Sequence, residues 1–230
     1  MDYTEEIIAS MDSRRRARFI NSLSGFKSAN LIGTLDKEGN ENLSIVSSVF
    51  HLGANPALMG FIIRPASVER HTLDNILETK AYSINSVCTD FIASAHQTSA
   101  RYSKCVSEFE AVGLTPFYKG KKGPFVLESS IKIWLELVSH QTLEVNSTEL
   151  IIGEIKLVMV NEGAVMPDGF IDIEALDVAT VSGLDSYHMT QRIGRLNYAK
   201  PGHRLFPLTR EGEPSSWKAI GLKNEQGEVE

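Results

Sequence analysis

The sequence contains little cysteine and none of the short motifs that mark several large enzyme classes. Its 230 residues include two cysteines, Cys88 and Cys105, which form no CxxC pair. They match neither a common zinc pattern nor a disulfide framework, which favours two reduced thiols in an intracellular protein. No GxGxxG, GxxxxGK[ST], HExxH or GxSxG segment is present. We therefore expect no Rossmann site, P-loop, zinc-protease site or α/β-hydrolase elbow.

Long apolar runs and an excess of positive charge are also absent. The formal net charge is -6, so the chain as a whole carries no basic footprint for nucleic acid. The first ten residues, MDYTEEIIAS, lack the basic and apolar regions of a signal peptide, and no apolar run reaches the length of a membrane span. The six histidines are dispersed, and each is interpreted as structural or solvated rather than as a metal ligand. We expect a soluble, cytoplasmic protein with neither a nucleic acid nor a membrane as its partner.

What is present is enough apolar material for a core, 42% of the residues, arranged mostly in short runs typical of strands. Strands are predicted at Asn30–Leu35, Leu43–Phe50, Leu58–Ile63, Ala81–Val87, Ile131–Val138, Thr142–Val145, Leu150–Val160 and Phe170–Ile173. Turns are predicted at 36–40 and 146–148, and a polar loop at 119–123. Helical spacing covers 4–22, with Thr4 as the cap, and 72–79, whereas 89–112 is helical or irregular and ends at Gly113.

This order of elements predicts the fold class. Several short strands joined by hairpin turns indicate a mainly β protein with some α-helix, an antiparallel barrel with peripheral helices. Strands do not alternate regularly with helices of about a dozen residues, so a parallel doubly wound sheet fits less well. We divide the chain into a helical extension at 1–22, a barrel domain at 23–205 and a tail at 206–230, whose acidic end is expected to be solvated or disordered.

One stretch of the first half combines groups that suit a phosphate. Ser47 and Ser48 end the strand Leu43–Phe50, and Arg64 and Arg70 precede a helix whose N-cap is predicted to be Thr72, with Asn75 in its first turn. A helix N-terminus with nearby guanidinium groups attracts anions. Each piece also has a purely structural interpretation, since Thr-x-x-Asn is often only a cap, Ser-Ser often a barrel corner, and surface arginines often pair with carboxylates.

Taken together, these segments resemble the flavin reductase domain, an FMN-binding split barrel related to flavoredoxin and to the reductase components of two-component monooxygenases. The order is NxSxxSSxF at 42–50, RxTxxNI at 70–76 followed by a strand ending at Asn85, Thr98–Tyr102 and Ser107–Phe109 before Gly113, GEI at 153–155, and RIGRLNY at 192–198. The resemblance covers roughly residues 20–200, and it is the order and spacing of the motifs that make it specific.

The resemblance implies a set of cofactor-binding residues. In the family, the strand matching Ser44–Phe50 lies along the flavin ring and ribityl chain, and the positions matching Arg64, Arg70, Thr72 and Asn75 surround the phosphate. The residues carried over are Ser44, Val46, Ser47, Ser48, Phe50, Arg64, Arg70, His71, Thr72, Asn75, Ser99, Tyr102 and Tyr198. The cofactor implied is noncovalent FMN in preference to FAD. A homodimer with the flavin near the subunit interface is implied as well.

Three functions follow from these observations. The first is an NAD(P)H-dependent flavin reductase, an oxidoreductase that feeds a partner such as a monooxygenase. The second is a flavoredoxin-like electron carrier with bound FMN. The third is a non-enzymatic barrel that binds another phosphorylated ligand or a redox partner protein. No catalytic residue is assigned, because His188 and His203 match no firm pattern for a nicotinamide site and hydride transfer to a flavin needs no protein nucleophile.

Overall fold

The computed structural model describes residues 1–65, 71–221, 223 and 227. The α-helices in this part of the chain are α1 (Glu5–Ser10), α2 (Ser13–Leu23), α3 (His71–Thr79), α4 (Ile92–Gln97) and α5 (Glu108–Val112), with short 3-10 helices at Thr89–Phe91 and Glu162–Ala164. The strands are β1 (Lys27–Ser28), β2 (Asn30–Leu35), β3 (Glu41–Val46), β4 (Phe50–Ala54), β5 (Ala57–Ile63), β6 (Ala81–Ser86), β7 (Pro116–Lys119), β8 (Lys122–Val126), β9 (Ile131–Leu143), β10 (Thr148–Val160), β11 (Thr180–Ser182), β12 (Ser186–His188), β13 (Arg195–Leu196) and β14 (Pro207–Leu208).

A seven-stranded sheet forms the body of the protein, in the order β3-β2-β6-β9-β10-β5-β4. Its two end strands, β3 and β4, follow each other in the chain and are separated only by residues 47–49. At this corner the Ser48 hydroxyl donates to the Ile62 carbonyl (2.9 Å) and accepts from the Ile62 N–H (3.1 Å) in β5. The chain thus closes the sheet on itself at one corner, and the predicted mainly β barrel with peripheral helices is confirmed.

The two faces of this sheet bury different apolar clusters, because successive side chains of a strand point to opposite faces. Leu31 and Ile32, neighbours in β2, belong to different clusters. The cluster inside the barrel is Ile32, Phe61, Ile63, Tyr82, Ile84, Leu135 and Ile151, covered by Leu73 and Ile76 of α3. The cluster outside it joins Leu31 and Leu43 to Phe91, Ala95, Phe109, Val126 and Val181. The sheet therefore supports α3 on one face and α4 and α5 on the other.

Two predicted elements are each divided in the structure. The helix predicted over 4–22 is wrong as one element, because Asp12 accepts hydrogen bonds from Arg14 N (3.1 Å) and Arg15 N (3.0 Å) and so caps a second helix. Thr4 caps the first helix as predicted, accepting from Ile7 N. The strand predicted over 43–50 breaks at 47–49, where the Ser48 side chain replaces the backbone in the bonding to β5.

Other predicted elements differ in extent. The separate strand predicted at 142–145 is the end of β9, which continues to Leu143, and the turn at 146–148 follows it with Ser147 at a φ of 58°. The segment 170–173 is not a strand, because only an isolated bridge joins Ile171 to Val165. Two strands that were not predicted, β7 and β8, flank the turn inside the predicted loop 119–123. The hairpin of β2 and β3 and the helix end at Gly113 are confirmed.

The chain divides into two compact units, 1–159 with 178–189, and 160–177 with 190–230. In the second unit the buried carboxylate of Asp172 accepts from Arg192 Nη1 (3.1 Å), and the Phe170 ring lies 4.2 Å from the Arg195 guanidinium. The predicted domain boundaries at 22 and 205 stay a prediction, and most of the acidic end, 225–226 and 228–230, lies outside the described residues. Cys88 is buried and Cys105 is exposed, and neither forms a disulfide within the described part of the chain. Within the described ranges, no helix has the length and apolar character needed to cross a membrane.

A tyrosine hydroxyl lies unpaired inside the barrel. Tyr82 of β6 is completely buried, and its hydroxyl has no hydrogen-bond partner among the described residues. The ring packs edge-on against Phe61, with centroids 5.5 Å apart. The hydroxyl lies directly beside Gly153 of β10. A Cβ at position 153 would overlap this hydroxyl and would also be too close to the Leu135 Cβ. Glycine at 153 is thus required by the close approach of Tyr82.

We predict that Tyr82→Phe raises the free energy of unfolding by about 1 kcal/mol, because removing a buried hydroxyl without a partner removes its desolvation cost. Urea denaturation followed by tryptophan fluorescence measures this change. A loss of stability of more than about 1 kcal/mol would show that the hydroxyl has a partner such as an internal water.

Candidate functional site

The strand β3 has one bonded edge and one open edge. It is an end strand of the sheet, and none of the other described strands pairs with its outer side. Directly before β2, Ala29 O accepts from Val87 N (3.0 Å), so the odd-numbered residues of β2 bond towards β6 and the even-numbered ones towards β3. Across the register Gly33↔Leu43, the backbone groups of Leu43 and Ile45 therefore point away from the sheet.

One donor on this open edge is capped by a carboxylate. The Leu43 N–H donates to Glu108 Oε2 at 3.0 Å, as the alternation of β3 requires. Glu108 is the first residue of α5 and is only 6% exposed. Burial raises the pKa of Glu108 above its ordinary value, against the opposing effects of the Leu43 N–H and of nearby His71. The Leu43 carbonyl and both backbone groups of Ile45 remain without a partner among the described residues.

A buried polar cluster joins α3 to β2 and β3. The Asn42 amide donates to Thr72 Oγ1 (2.9 Å) and to Thr34 Oγ1 (3.3 Å), and the Asn75 amide donates to Thr34 Oγ1 (3.1 Å). The prediction that Thr72 is the N-cap is wrong, because α3 begins at His71 and the Thr72 hydroxyl bonds Asn42 of the strand. Thr72 and Asn75 thus fix the first turn of α3 against β3 and β2.

These elements enclose a narrow crevice in which the start of β3, the start of α3 and residues 104–108 meet. Its volume is only about 10 Å³, room for about one water. Lys104 Nζ lies 3.6 Å from Asp36 Oδ2, and the hydrogen bond from the Asn40 side chain is the main cause that lowers the pKa of Asp36. The lining is Asp36, Asn40, Glu41, Asn42, His71, Asn75, Lys104, Val106 and Glu108.

Several predicted site residues serve the fold directly. Val46 packs against the apolar cluster inside the barrel. Ser48 closes the barrel corner through Ile62, so the corner interpretation of Ser-Ser is confirmed for this residue. The Phe50 ring covers Gly60 so closely that a Cβ at position 60 would lie 2.5 Å from Phe50 Cζ. These three contacts hold the strand and its corner in place.

Other predicted residues keep their polar groups available. The hydroxyls of Ser44 and Ser47 have no hydrogen-bond partner among the described residues. Arg64 and Ser99 are exposed, whereas Tyr102 is half-buried and its hydroxyl accepts from Gln97 Nε2 (3.1 Å).

Two predicted residues cannot be placed beside this group. Arg70 lies outside the described residues. Tyr198 is exposed and belongs to the second compact unit.

The sequence patterns do not identify Glu108, Asn42 or Ile45 as members of the site. Glu108 follows Ser107 at a helix start, which indicates a helix beginning but not a bond to a strand 65 residues earlier. Asn42 opens the NxSxxSSxF motif, and the motif does not reveal that its amide bonds Thr72. The outward orientation of Ile45 follows only from the pairing of β2 with β6.

We predict that Glu108→Gln flattens the pH dependence of stability. A folded-state pKa above the unfolded value means that Glu108 contributes stability below its unfolded pKa and loses that contribution as pH rises through the folded pKa. Glutamine keeps an acceptor for Leu43 N–H and does not ionise. In urea denaturation from about pH 4 to about pH 7, the free energy of unfolding should therefore fall more steeply with rising pH for wild type than for the variant.

Glu108→Ala serves as the comparison, because it leaves the Leu43 N–H without an acceptor and should cost about 1–3 kcal/mol at every pH in this range. Parallel pH profiles for wild type and Glu108→Gln would contradict the raised pKa.

Comparison with known proteins supports the resemblance that the motifs indicated. The family described as flavin reductase like domain matches residues 23–172. A candidate flavin reductase with a split barrel domain from Shewanella frigidimarina NCIMB 400 is 56% identical, with a TM-score of 0.84, and the match covers 86% of this chain and all of that chain.

Two further solved structures share the fold at lower identity. Nitrilotriacetate monooxygenase component B from Bacillus cereus has a TM-score of 0.73 at 20% identity, covering 84% of this chain and 96% of that one. An FMN-binding protein from Thermus thermophilus has a TM-score of 0.59 at 18% identity, covering 71% and 85%. The predicted family and the predicted split barrel are thus confirmed. This chain belongs to the flavin reductase like domain family.

Proposed function

We propose that this protein binds FMN noncovalently along the open edge of β3 and acts as an NAD(P)H-dependent flavin reductase. Membership of the flavin reductase like domain family supports a flavin-related oxidoreductase. The observation that carries the placement is the outward-facing backbone at Leu43 and Ile45, held in register by β2. The experiments below test binding and turnover separately.

The groups on this edge fit the hydrogen-bonding edge of a flavin ring. The pyrimidine part of a flavin presents two carbonyl oxygens and an N–H between them. The open edge of β3 offers the Ile45 N–H as donor and the carbonyls of Leu43 and Ile45 as acceptors. Backbone groups on a paired strand are fixed before the ligand arrives, so little ordering is needed on binding. One flavin carbonyl can thus accept from the Ile45 N–H while the flavin N–H donates to a neighbouring backbone carbonyl.

The polar side chains nearby suit the rest of the cofactor. The unpartnered hydroxyls of Ser44 and Ser47 would contact the ribityl chain. Arg64 is exposed at the end of β5 and would bind the phosphate, together with Arg70 and the start of α3 at His71. Ser99 and Tyr102 are proposed to line the same site. Thr72 and Asn75 act indirectly, because they tie α3 to β3 through Asn42 and Thr34.

Bound FMN would supply hydride acceptance from a reduced nicotinamide and its delivery to an acceptor. The protein's own part is to hold the ring edge. The Ile45 N–H would bind a carbonyl oxygen of the ring and would stabilise negative charge there. Glu108 keeps the neighbouring Leu43 N–H occupied, so the ring meets a defined pattern of donors and acceptors. A catalytic triad is not required for this chemistry.

The remaining features of the proposal concern the cellular setting. FMN is preferred to FAD because the sequence resembles FMN-binding members of the family. A homodimer is proposed, with Tyr198 near the site of one or the other subunit. We propose that the protein is cytoplasmic. The acceptor is free flavin or a redox partner protein such as a monooxygenase component.

We predict that Arg64→Ala weakens FMN binding by about ten- to hundredfold, because a hydrogen bond to a charged group contributes about 1.5–3 kcal/mol. Quenching of flavin fluorescence on titration with the protein measures the dissociation constant. Lys121→Ala is the matched control, since Lys121 is exposed in the turn between β7 and β8 and should leave the affinity unchanged. Equal affinity of Arg64→Ala and wild type would place the phosphate elsewhere.

We predict that NADH or NADPH at millimolar concentration reduces the FMN-loaded protein without any other enzyme. Anaerobic stopped-flow measurement would show loss of the flavin absorbance near 450 nm with a saturable rate. A flavin spectrum that neither nucleotide bleaches would contradict the reductase assignment and favour a flavoredoxin-like carrier. The absence of any flavin spectrum after incubation with FMN and desalting would contradict flavin binding itself.

A further inference from the structure

The helices α1 and α2 form a cationic cleft that the proposed flavin site does not use. The cleft has a volume of about 380 Å³, within the range of small-molecule sites, and is lined by Tyr3, Met11, Asp12, Arg14, Arg15, Arg18 and Phe19. Met11 is buried and forms an apolar base. The Tyr3 and Phe19 rings pack together with centroids 4.7 Å apart. None of these residues belongs to the group proposed to hold FMN.

The positive charges on α2 lie at positions where they are unfavourable for a helix. The helix contains four arginines and no acidic residue, in a chain whose net charge is -6. Arg14 and Arg18 are four residues apart and Arg15 and Arg18 three apart, so the like charges share one face and repel. Arg14 and Arg15 also lie in the first turn, where the helix dipole disfavours cations. Such local conflicts are typical of functional sites, where a ligand compensates for them.

These three guanidinium groups have no carboxylate partner in the described part of the chain. Arg14, Arg15 and Arg18 make no side-chain ion pair or hydrogen bond there, and all three are exposed. The only acidic residue of the cleft, Asp12, uses Oδ1 to accept from Arg14 N and Arg15 N. The Asp12 carboxylate offsets one of the three arginine charges, so the cleft keeps a net positive charge.

The fourth arginine fixes the shape of the cleft. Arg16 Nη1 donates to the carbonyls of Ala9 (3.1 Å) and Met11 (3.1 Å), which joins the start of α2 to the end of α1. The Ser10 hydroxyl donates to Ile7 O (2.8 Å) and completes the end of α1. Asp12 caps α2 at the same corner. The angle between the helices is therefore set by bonds that involve the side chains of neither Arg15 nor Arg18.

We propose that this cleft binds a small phosphorylated aromatic ligand of the nucleoside monophosphate class. Three arginines that line one cleft suit a phosphate dianion, which arginine binds by paired hydrogen bonds. The Tyr3 and Phe19 rings beside them offer a surface on which a base stacks. An apolar base, two aromatic rings and a cationic rim together select a ligand that is both planar and anionic, and the volume admits one of this size.

The test is isothermal titration of the full chain with adenosine 5′-monophosphate at low salt. Wild type should bind saturably, and Arg15→Gln with Arg18→Gln should weaken binding at least about tenfold, because two charged hydrogen bonds are lost. The matched control is Lys119→Gln with Lys121→Gln, which removes the same charge from exposed positions around the β7–β8 turn. It should bind as wild type does. Phe19→Leu should weaken AMP binding while keeping the arginines.

Inorganic phosphate is the second probe, and it should bind about five- to 150-fold more weakly than AMP, since base stacking contributes about 1–3 kcal/mol. No saturable AMP binding to wild type would overturn the proposal. Equal AMP affinity of the double arginine variant and wild type would do so as well. Phosphate binding as tightly as AMP would overturn the assignment to a nucleotide. These results do not depend on FMN, so failure of the flavin proposal is recognised separately in the flavin titrations.

Discussion

The pairing of β3 on one side only is the constraint on which the rest of the site depends. Because β2 bonds β6 through its odd-numbered residues, it can offer only its even-numbered ones to β3. The backbone groups of Leu43 and Ile45 are left facing outwards. An exposed strand edge invites unwanted pairing, and proteins usually cover or charge it. Here Glu108 occupies one N–H, and the adjoining groups form the proposed flavin-binding edge.

The surrounding structure keeps this edge in place from several directions. The Ser48 hydroxyl anchors the end of β3 to β5, so the strand turns sharply into β4. Asn42 anchors its start to α3 through Thr72. Buried polar clusters of this kind stabilise one arrangement only when every member is bonded, which makes the geometry specific. Residues that the family resemblance assigns to the cofactor can thus act by positioning the strand rather than by contact.

Much of the fold follows from local patterns, whereas the site follows from pairing over long distances. The turn at 36–40 and the period-two pattern after 131 predict their hairpins, because both signals are local. Asp12 also carried a local signal, that of an N-cap, which divides the first helix. The bond from Leu43 to Glu108 spans 65 residues and leaves no periodic trace. The same holds for Thr72, whose Thr-x-x-Asn motif suggested a cap and whose side chain bonds Asn42 of β3.

In the proposed complex, the flavin ring forms hydrogen bonds with the open edge of β3. Amide NMR of the labelled chain, with and without FMN, tests this claim at adjacent residues. The Ile45 amide should shift and exchange more slowly with solvent when FMN is bound, because its N–H gains a partner. The Ser44 amide, bonded within the sheet to Ile32, serves as the internal reference and should change little in exchange. Bound FMN that leaves the Ile45 amide unchanged would contradict the account.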